Sequence, residues 1–590
     1  MLFHQTIWFF NQAGLPEVLG ALLIPMGLGI ALYQLNYLWI AGRELAWRAA
    51  GRPEERLGEA PTAALTIPSL LRRPDELEGI CTAMQSACAN GYPGTLHVVA
   101  AVDGRRAAPH LYAALERWVD EHPSPDHVRL HVTATPVRSG KAVAIDVGVR
   151  YLARTAPERP RLFFNMDADC ELGPRALERL AHRLTRLCPW TREPARIVTS
   201  HVAVRPEVYW RGWRHFFSMA GQLELSVARE YLVSIGLGRH NSRLLPHTGA
   251  SGALYVTWFD VLDAAPRYAT YLRTLTPLHW LRWLIGHAPP SFEAMRDRLE
   301  ANPCAVAGMG DDTWISWMAL AGRWRSGRLE FDLPRTPAHA SGRAVVSFLF
   351  RPFRYAPRAF IFTSTPTTLR SLYRQRVRWN VSRIWTTQRW YPALLFDWSL
   401  GLPVAADILI TVTANLLAVL GLVLVPMTDA PTMWFPLILV VVGGFAAQRL
   451  LSTLLGLLLL EHRGRWRLLL ALPQAGLYHF VVNILSTVDG FARQVLGFGM
   501  RTGFAPEETL KRGGVGRIAL AFRVRRALGL MVRSVIRGDV PLGAFWLGWG
   551  ETPWTRDGYD GWDGTPAPRE PVEVATLSAE RLSRPPVEAP

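Results

Sequence analysis

Between Ala64 and Met166 the chain alternates short apolar runs with helix-like stretches, and this alternation constrains the fold more than any other feature. Ala64–Ile67 reads as a strand, Pro74–Cys88 as a helix and Leu96–Val102 as a strand. Arg106–Glu121 then reads as a helix, Val128–Ala134 as extended, Ala142–Arg154 as a helix and Leu162–Met166 as extended. Repeated strand–helix units predict an α/β domain with a mostly parallel, doubly wound sheet. In such sheets ligands bind beyond the carboxyl ends of the strands.

Two of those strand ends carry acids. Asp103 closes the run Val98–Val102, and Asp167 and Asp169 follow Leu162–Met166. Carboxylates spaced i, i+2 just past a strand can hold a divalent cation through hard oxygen ligands, and the cation can bridge diphosphate oxygens. The triplet alone is also what a solvated loop contains. Its place after an apolar strand favours the functional reading. Gly173-Pro174 follows and opens a helix, because proline suits the first helical turn.

Farther along, Gly310-Asp311-Asp312 precedes a helical stretch from Thr313 to Ala321. One of these acids can act as a general base; the alternative is a helix start favoured by acidic residues. An aspartate with an ordinary pKa of about 3.9 is a poor base at neutral pH, so such a role requires a site that raises it. The run Gln375-Arg376-Val377-Arg378-Trp379 joins a cation suited to phosphate with a flat face suited to a sugar ring. Its plain alternative is an amphipathic basic stretch at a membrane surface.

Charge and composition narrow the class. The net charge of +17 is carried almost wholly by arginine, since Lys141 and Lys511 are the only lysines. No nucleic-acid-binding motif accompanies this charge, so nucleic acid is excluded as a partner and anionic lipid is expected. Cys81, Cys88, Cys170, Cys188 and Cys304 are scattered and never spaced as CxxC, which fits a reducing compartment. Val18–Ile40 has no charged residue, is long enough to cross a bilayer and is followed by Arg43, Arg48 and Arg52. Three later apolar stretches, Ile408–Met427, Met433–Leu460 and Leu468–Val488, extend the expectation of an integral membrane protein. Asp407 stands at the first of these and Arg449 inside the second, either as snorkelling groups or as the lining of a polar path.

Taken in order, Asp103, Lys141, Asp167-Ala168-Asp169, Ser251-Gly252, Asp311-Asp312 and Gln-Arg-x-Arg-Trp resemble the family-2 glycosyltransferases. The likeness is to the hyaluronan, chitin and cellulose synthase branch, and it spans roughly residues 61–390. It implies a nucleotide-diphospho-sugar-transferase (GT-A) domain with α-helical transmembrane segments. Residues 1–60 would be a transmembrane helix and basic linker, and 61–340 the cytoplasmic catalytic domain. Residues 341–400 would hold QRVRW and interfacial helices, 401–490 a transmembrane region, 491–550 a basic cytoplasmic segment and 551–590 a disordered tail.

The resemblance also implies roles. Asp103 and Lys141 would contact the nucleotide side of the donor, and Asp167 and Asp169 the diphosphate with its Mg2+ or Mn2+. Asp312 would be the general base, with Asp311 beside it. Gln375 and Arg378 would close on the donor diphosphate. Trp379, with Ser251 and Gly252, would meet the acceptor, and Gly499–Thr502 faintly resembles a loop over the donor. The implied activity is inverting transfer from a nucleotide-diphospho-sugar, expected to be a UDP-sugar, to a growing polysaccharide coupled to export. The expected location is a bacterial plasma (inner) membrane. The alternatives are single glycosylation of a membrane lipid and an inactive scaffold subunit of an export complex. Thr313 stands where many relatives carry arginine, and Pro266–Asn302 and Pro334–Phe360 look like insertions.

Overall fold

The computed structural model describes residues 56–136, 140–205, 212–237, 249–262, 275–291, 311–325, 327–350, 352–406, 450–458, 466–470 and 484–490, with a few single positions between them. The chain divides into two compact units. The larger takes in residues 55–207, 246–405 and 485–590, and it carries every described residue of the expected site.

Its centre is an eight-stranded sheet in the order β3-β2-β1-β4-β7-β6-β10-β5. The strands are β1 (Ala63–Ser69), β2 (Leu96–Val102), β3 (Val128–Ala134), β4 (Leu162–Met166), β5 (Cys170–Leu172), β6 (Ile197–Val204), β7 (Leu254–Trp258) and β10 (Phe353–Thr363). A separate hairpin pairs β8 (Arg323–Arg325) with β9 (Arg328–Glu330). Helices α1 (Pro74–Cys88), α2 (Pro109–Glu121), α3 (Lys141–Thr155) and α4 (Ala176–Thr185) connect the strands of the first half. Helices α5 (Pro277–Leu284), α6 (Asp311–Ala321), α7 (Pro337–Phe350) and α8 (Leu369–Phe396) follow.

The first four strands form the parallel half that the alternation predicts. β1, β2 and β4 read as largely apolar runs because both faces are covered: every residue of the three is buried. Gly148 of α3 lets that helix lie close on the sheet, since a Cβ there would stand 3.1 Å from Thr66 and 3.3 Å from Ala101. Phe163 and Phe164 are wholly buried, each contributing roughly 1.5–3 kcal/mol by leaving water.

The expectation of a mostly parallel, doubly wound sheet is corrected by the second half, which makes the sheet mixed. β7 is antiparallel to both β4 and β6, and β5 is antiparallel to β10. The reason lies in the chain path. β4 runs toward Asp167, whereas β7 begins just after Ser251-Gly252, and Asp167 N–H donates to Ala253 O at 3.1 Å. A strand that starts where its neighbour ends runs the other way. The end of the stretch Pro334–Phe360 belongs to β10, an interior strand between β6 and β5.

The transmembrane part of the expected fold is corrected too. Among the described residues no helix is long and apolar enough to cross a membrane. Leu468–Leu470 belong to a short 3₁₀ turn, Trp466–Leu470, in which Arg467 and Leu468 are buried. Most of the four apolar runs, with Asp407, Arg449, Gly499–Thr502 and the 551–590 tail, lie outside the described residues.

In the smaller unit, residues 1–54, 208–245 and 406–484, the clearest element is the helix Met219–Glu230, whose Ser218 hydroxyl caps Gly221 N–H. His215 Nε2 stands 2.7 Å from the buried Glu224.

Candidate active site

Four of the expected acids are held at or beside sheet ends, each by a different device. Asp103 directly follows β2, and its carboxylate accepts the Gly140 N–H at 3.0 Å on both oxygens. The Thr135 hydroxyl adds a longer contact at 3.4 Å. Gly140 has φ +103°, a conformation that favours glycine, and it directly precedes α3. Asp103 therefore closes the N-terminal end of α3, a favourable place for negative charge, and it is only 6% exposed.

Lys141 is the first residue of α3. Its ammonium lies 2.6 Å from Asp167 Oδ1, with both side chains about one-third exposed. The only lysine before residue 511 thus meets the first acid of the Asp-x-Asp triplet. Asp169, the second acid, is exposed but oriented from both sides. Ser364, just past β10, donates its hydroxyl to Oδ2 at 3.1 Å, and Cys170 Sγ lies 3.6 Å from Oδ1. Burial, then the neighbouring Asp169 and Asp167 charges, push the Cys170 thiol well above the usual range.

Gly252 is the hub of the arrangement. A Cβ at that position would stand 3.2 Å from Asp312 Oδ2 and 3.7 Å from Asp167 Oδ2. The carboxylates of a strand-end acid and a helix-start acid thus face the same bare backbone, which only a residue without a side chain leaves open. The neighbouring backbone is hooked on both sides. Ser251 N–H donates to Thr199 Oγ1 at 2.9 Å, and Ala250 N–H donates to Ser316 Oγ at 2.9 Å. Ser316 in turn donates to the Asp312 carbonyl. Thr313 donates its N–H to Asp312 Oδ1 at 2.7 Å. Asp311 begins α6; its side chain lies outside the described residues, as do Arg138 and Ser139.

QRVRW sits in the first half of α8, whose N-terminus is closed by Thr368, with its hydroxyl accepting Ser371 N–H. α6 packs on α8. Arg378 is exposed, and Trp379 is 41% exposed. The Arg376 guanidinium, buried, lies 4.2 Å from the centre of the Trp379 ring and fixes its plane. Gln375 Oε1 is shut away from water with no hydrogen-bond partner among the described residues. At the far end of α8, Arg323 donates to both oxygens of the fully buried Asp397, at 3.1 and 3.4 Å, and to Ser399 Oγ at 2.8 Å. Since Arg323 follows α6, this pair fastens the helix of Asp312 to the helix of QRVRW.

Several participants went unseen in the sequence. Ser364 reaches Asp169 across 195 positions, a separation no local pattern reports. Asp489 accepts the Tyr373 hydroxyl at 2.9 Å, and Ser486 Oγ lies 3.2 Å from Asn380 Nδ2, so residues 486–489 line α8 beside the motif. Cys170 could have been found, because it directly follows the acid triplet.

Asp167, Asp169 and Cys170 are the group among the described residues whose ligand atoms all lie within 4.8 Å of one another. Two carboxylates and a sulfur at that spacing fit a divalent cation. Lys141 Nζ already stands on one of those oxygens, so cation and ammonium share Asp167.

No family model matches this chain, and no curated protein matches it. Among solved structures it is similar to the mannosyltransferase PcManGT from Pyrobaculum calidifontis in complex with GDP-Man and Mn2+. That match has 15% identity and a TM-score of 0.31 over 74% of this chain and 98% of the other. It is also similar to GalNAc-T7 with UDP, GalNAc and Mn2+, at 12% identity and TM-score 0.18 over 26% of this chain and 27% of that one. Overlaps this low are likenesses and carry no argument about fold or activity.

Proposed function

We propose that this protein is a glycosyltransferase that moves a sugar from a nucleotide-diphospho-sugar to the hydroxyl of an acceptor saccharide, with inversion, in the presence of a divalent cation. The observation that carries the reading is the convergence of Asp167 and Asp312 on Gly252. One acid is tied to a lysine and spaced with Asp169 for a cation; the other opens a helix at the same backbone.

The chemistry asks for two things at one place: positive charge where a diphosphate departs, and a base where a hydroxyl attacks. A bound divalent cation supplies charge neutralisation for the leaving diphosphate. Lys141 adds a second positive charge at Asp167, and it can pass from that carboxylate to a phosphate oxygen without moving its helix. On the opposite side Thr313 N–H engages Asp312 Oδ1, which turns Oδ2 toward Gly252. Oδ2 is then the oxygen placed to take the proton of an acceptor hydroxyl lying over that glycine. The bare Gly252 backbone leaves room for the sugar being transferred. Trp379, its plane set by Arg376, offers a face for an acceptor ring, and the sheltered Gln375 Oε1 is an acceptor that a sugar hydroxyl can satisfy. A growing polysaccharide is the acceptor that such an exposed aromatic face suits best.

The test is release of nucleoside diphosphate by purified full-length protein given a panel of UDP- and GDP-sugars with Mn2+ or Mg2+. One donor should be turned over. Asp169→Asn should abolish turnover while leaving the thermal melt in place. Full turnover in excess chelator would remove the cation from the mechanism, and no turnover of any donor with added acceptors would remove the activity.

A further inference from the structure

Behind the second acid of the triplet stands a group that an oxygen-only cation site does not need. We infer that Cys170 Sγ is a third ligand beside Asp167 and Asp169, making this a site that takes thiophilic divalent cations, Zn2+ and Cd2+, in preference to Mg2+. This rests on the reading that the acid pair holds a cation.

Three features of the fold carry it. Cys170 is the first residue of β5, paired with Thr363 of β10, and its own N–H donates to the Asp167 carbonyl at 3.1 Å. The turn that spaces the two acids therefore also fixes the sulfur. The side chain is 1% exposed, and its Sγ lies 3.6 Å from Asp169 Oδ1, on the carboxylate rather than in the apolar core. Zinc–sulfur and zinc–oxygen bonds at a tetrahedral angle place those two atoms about 3.6 Å apart. The Asp169 carboxylate is also held in place from its other side by Ser364, so the two ligands are arranged before any cation arrives.

Ligand chemistry then sets the preference. Mg2+ takes oxygen ligands and keeps its waters, gaining nothing from sulfur. Zn2+ and Cd2+ gain a strong bond, displacing the Sγ proton to solvent as the metal–sulfur bond forms. The plainer reading is a buried cysteine with a weak S–H···O contact, which would leave cation preference to the carboxylates alone.

Cadmium decides between them, because a cadmium–thiolate bond absorbs in the ultraviolet. Reduced full-length protein should develop this charge-transfer band and saturate it at a single equivalent. Cys170→Ser and Cys170→Ala should both lose it, while serine variants of Cys81, Cys88, Cys188 and Cys304 should keep it. Asp169→Asn, with every thiol intact, should weaken Cd2+ binding by about tenfold or more. In Cys170→Ser, Mn2+ binding read by electron paramagnetic resonance should stay within about threefold of the parent, since oxygen ligands dominate there. A band that survives Cys170→Ser, or one indifferent to Asp169→Asn, would overturn the inference. Mn2+ binding that needs Asp169, with no cadmium band, sinks the sulfur ligand alone and spares the cation site. Failure to bind either ion sinks both. A cadmium band with this dependence, in a protein that turns over no sugar donor, keeps the sulfur ligand and rejects the transferase reading.

Discussion

The two sides of the site are built by different means. On the strand-end side each acid is tied to a partner from a neighbouring element: Asp103 to Gly140, Asp167 to Lys141, and Asp169 to Ser364 and Cys170. On the helix side Asp312 is held by its own first turn, through Thr313, while Arg378 and Trp379 reach outward from α8. The strand-end groups are fixed by a sheet whose packing admits little adjustment. The helix-side groups are only as well placed as α6 and α8 are fastened, by Arg323–Asp397 at one end and by Asp489 and Ser486 along the side. Under the transferase reading proposed above, the difference would correspond to a preformed donor half and an acceptor half whose placement follows α6 and α8.

If the two sides divide the work in this way, substitutions on each should separate binding from chemistry. The largest effect belongs to Asp312→Asn, which should lower kcat by about 10² to 10⁴-fold, with donor and cation affinity unchanged by calorimetry. Collapse of donor affinity in that variant would merge the two halves. Lys141→Met should come next. It should weaken donor binding by roughly tenfold to a hundredfold, the range for losing a charge-assisted contact, and leave the acceptor KM where it was. Trp379→Ala is the mirror of that test. It should raise the acceptor KM by about tenfold with donor affinity intact, and an equal loss of both would assign the ring to structure.

The smallest expected effect lies beneath the strand-end side. Thr66 and Asn165 are register partners on β1 and β4, fully buried, and the Thr66 hydroxyl and both polar atoms of Asn165 have no partner among the described residues. Thr66→Val exchanges an unsatisfied hydroxyl for a methyl of the same shape. It should raise unfolding stability in urea by roughly 1 kcal/mol, with unchanged kinetics. A loss of stability would mean that the hydroxyl is satisfied in solution by an internal water.

What was legible in the sequence follows the reach of each force. The helix Pro74–Cys88 and the strands Leu96–Val102, Val128–Ala134 and Leu162–Met166 coincide with the runs read from the sequence; for Leu96–Val102 and Leu162–Met166 burial on both faces leaves a local apolar signature. The acids at strand ends were legible for the same reason: a carboxylate that follows an apolar run must stand at its end. The direction of β7 was not, since an apolar pentapeptide reads the same in either sense, and only its link to Ala253 and Asp167 decides. β10 was hidden by its composition. Phe353–Thr363 contains two arginines and a proline, and it is a strand because β6 and β5 flank it. Apolar content alone also misled at Leu468–Leu470, where a buried arginine, Arg467, lies in the same short turn.

The placement of QRVRW on one long helix has a consequence for insertions and deletions. Ser364 touches Asp169, α8 starts five residues later, and the motif follows within two turns. Tyr373 and Asn380, seven apart, share the face that meets Asp489 and Ser486, while Arg376 and Trp379, three apart, form the stack. One residue added between Thr368 and Tyr373 would turn everything downstream by about 100° and advance it about 1.5 Å. The stack would survive as a unit, yet point elsewhere. Seven added residues would leave an angular error of only about 20°, but would carry the motif about 10 Å past its partners. Neither phase nor distance can be repaired by the other, so chain length between Ser364 and Gln375 is as much a part of the site as the side chains themselves.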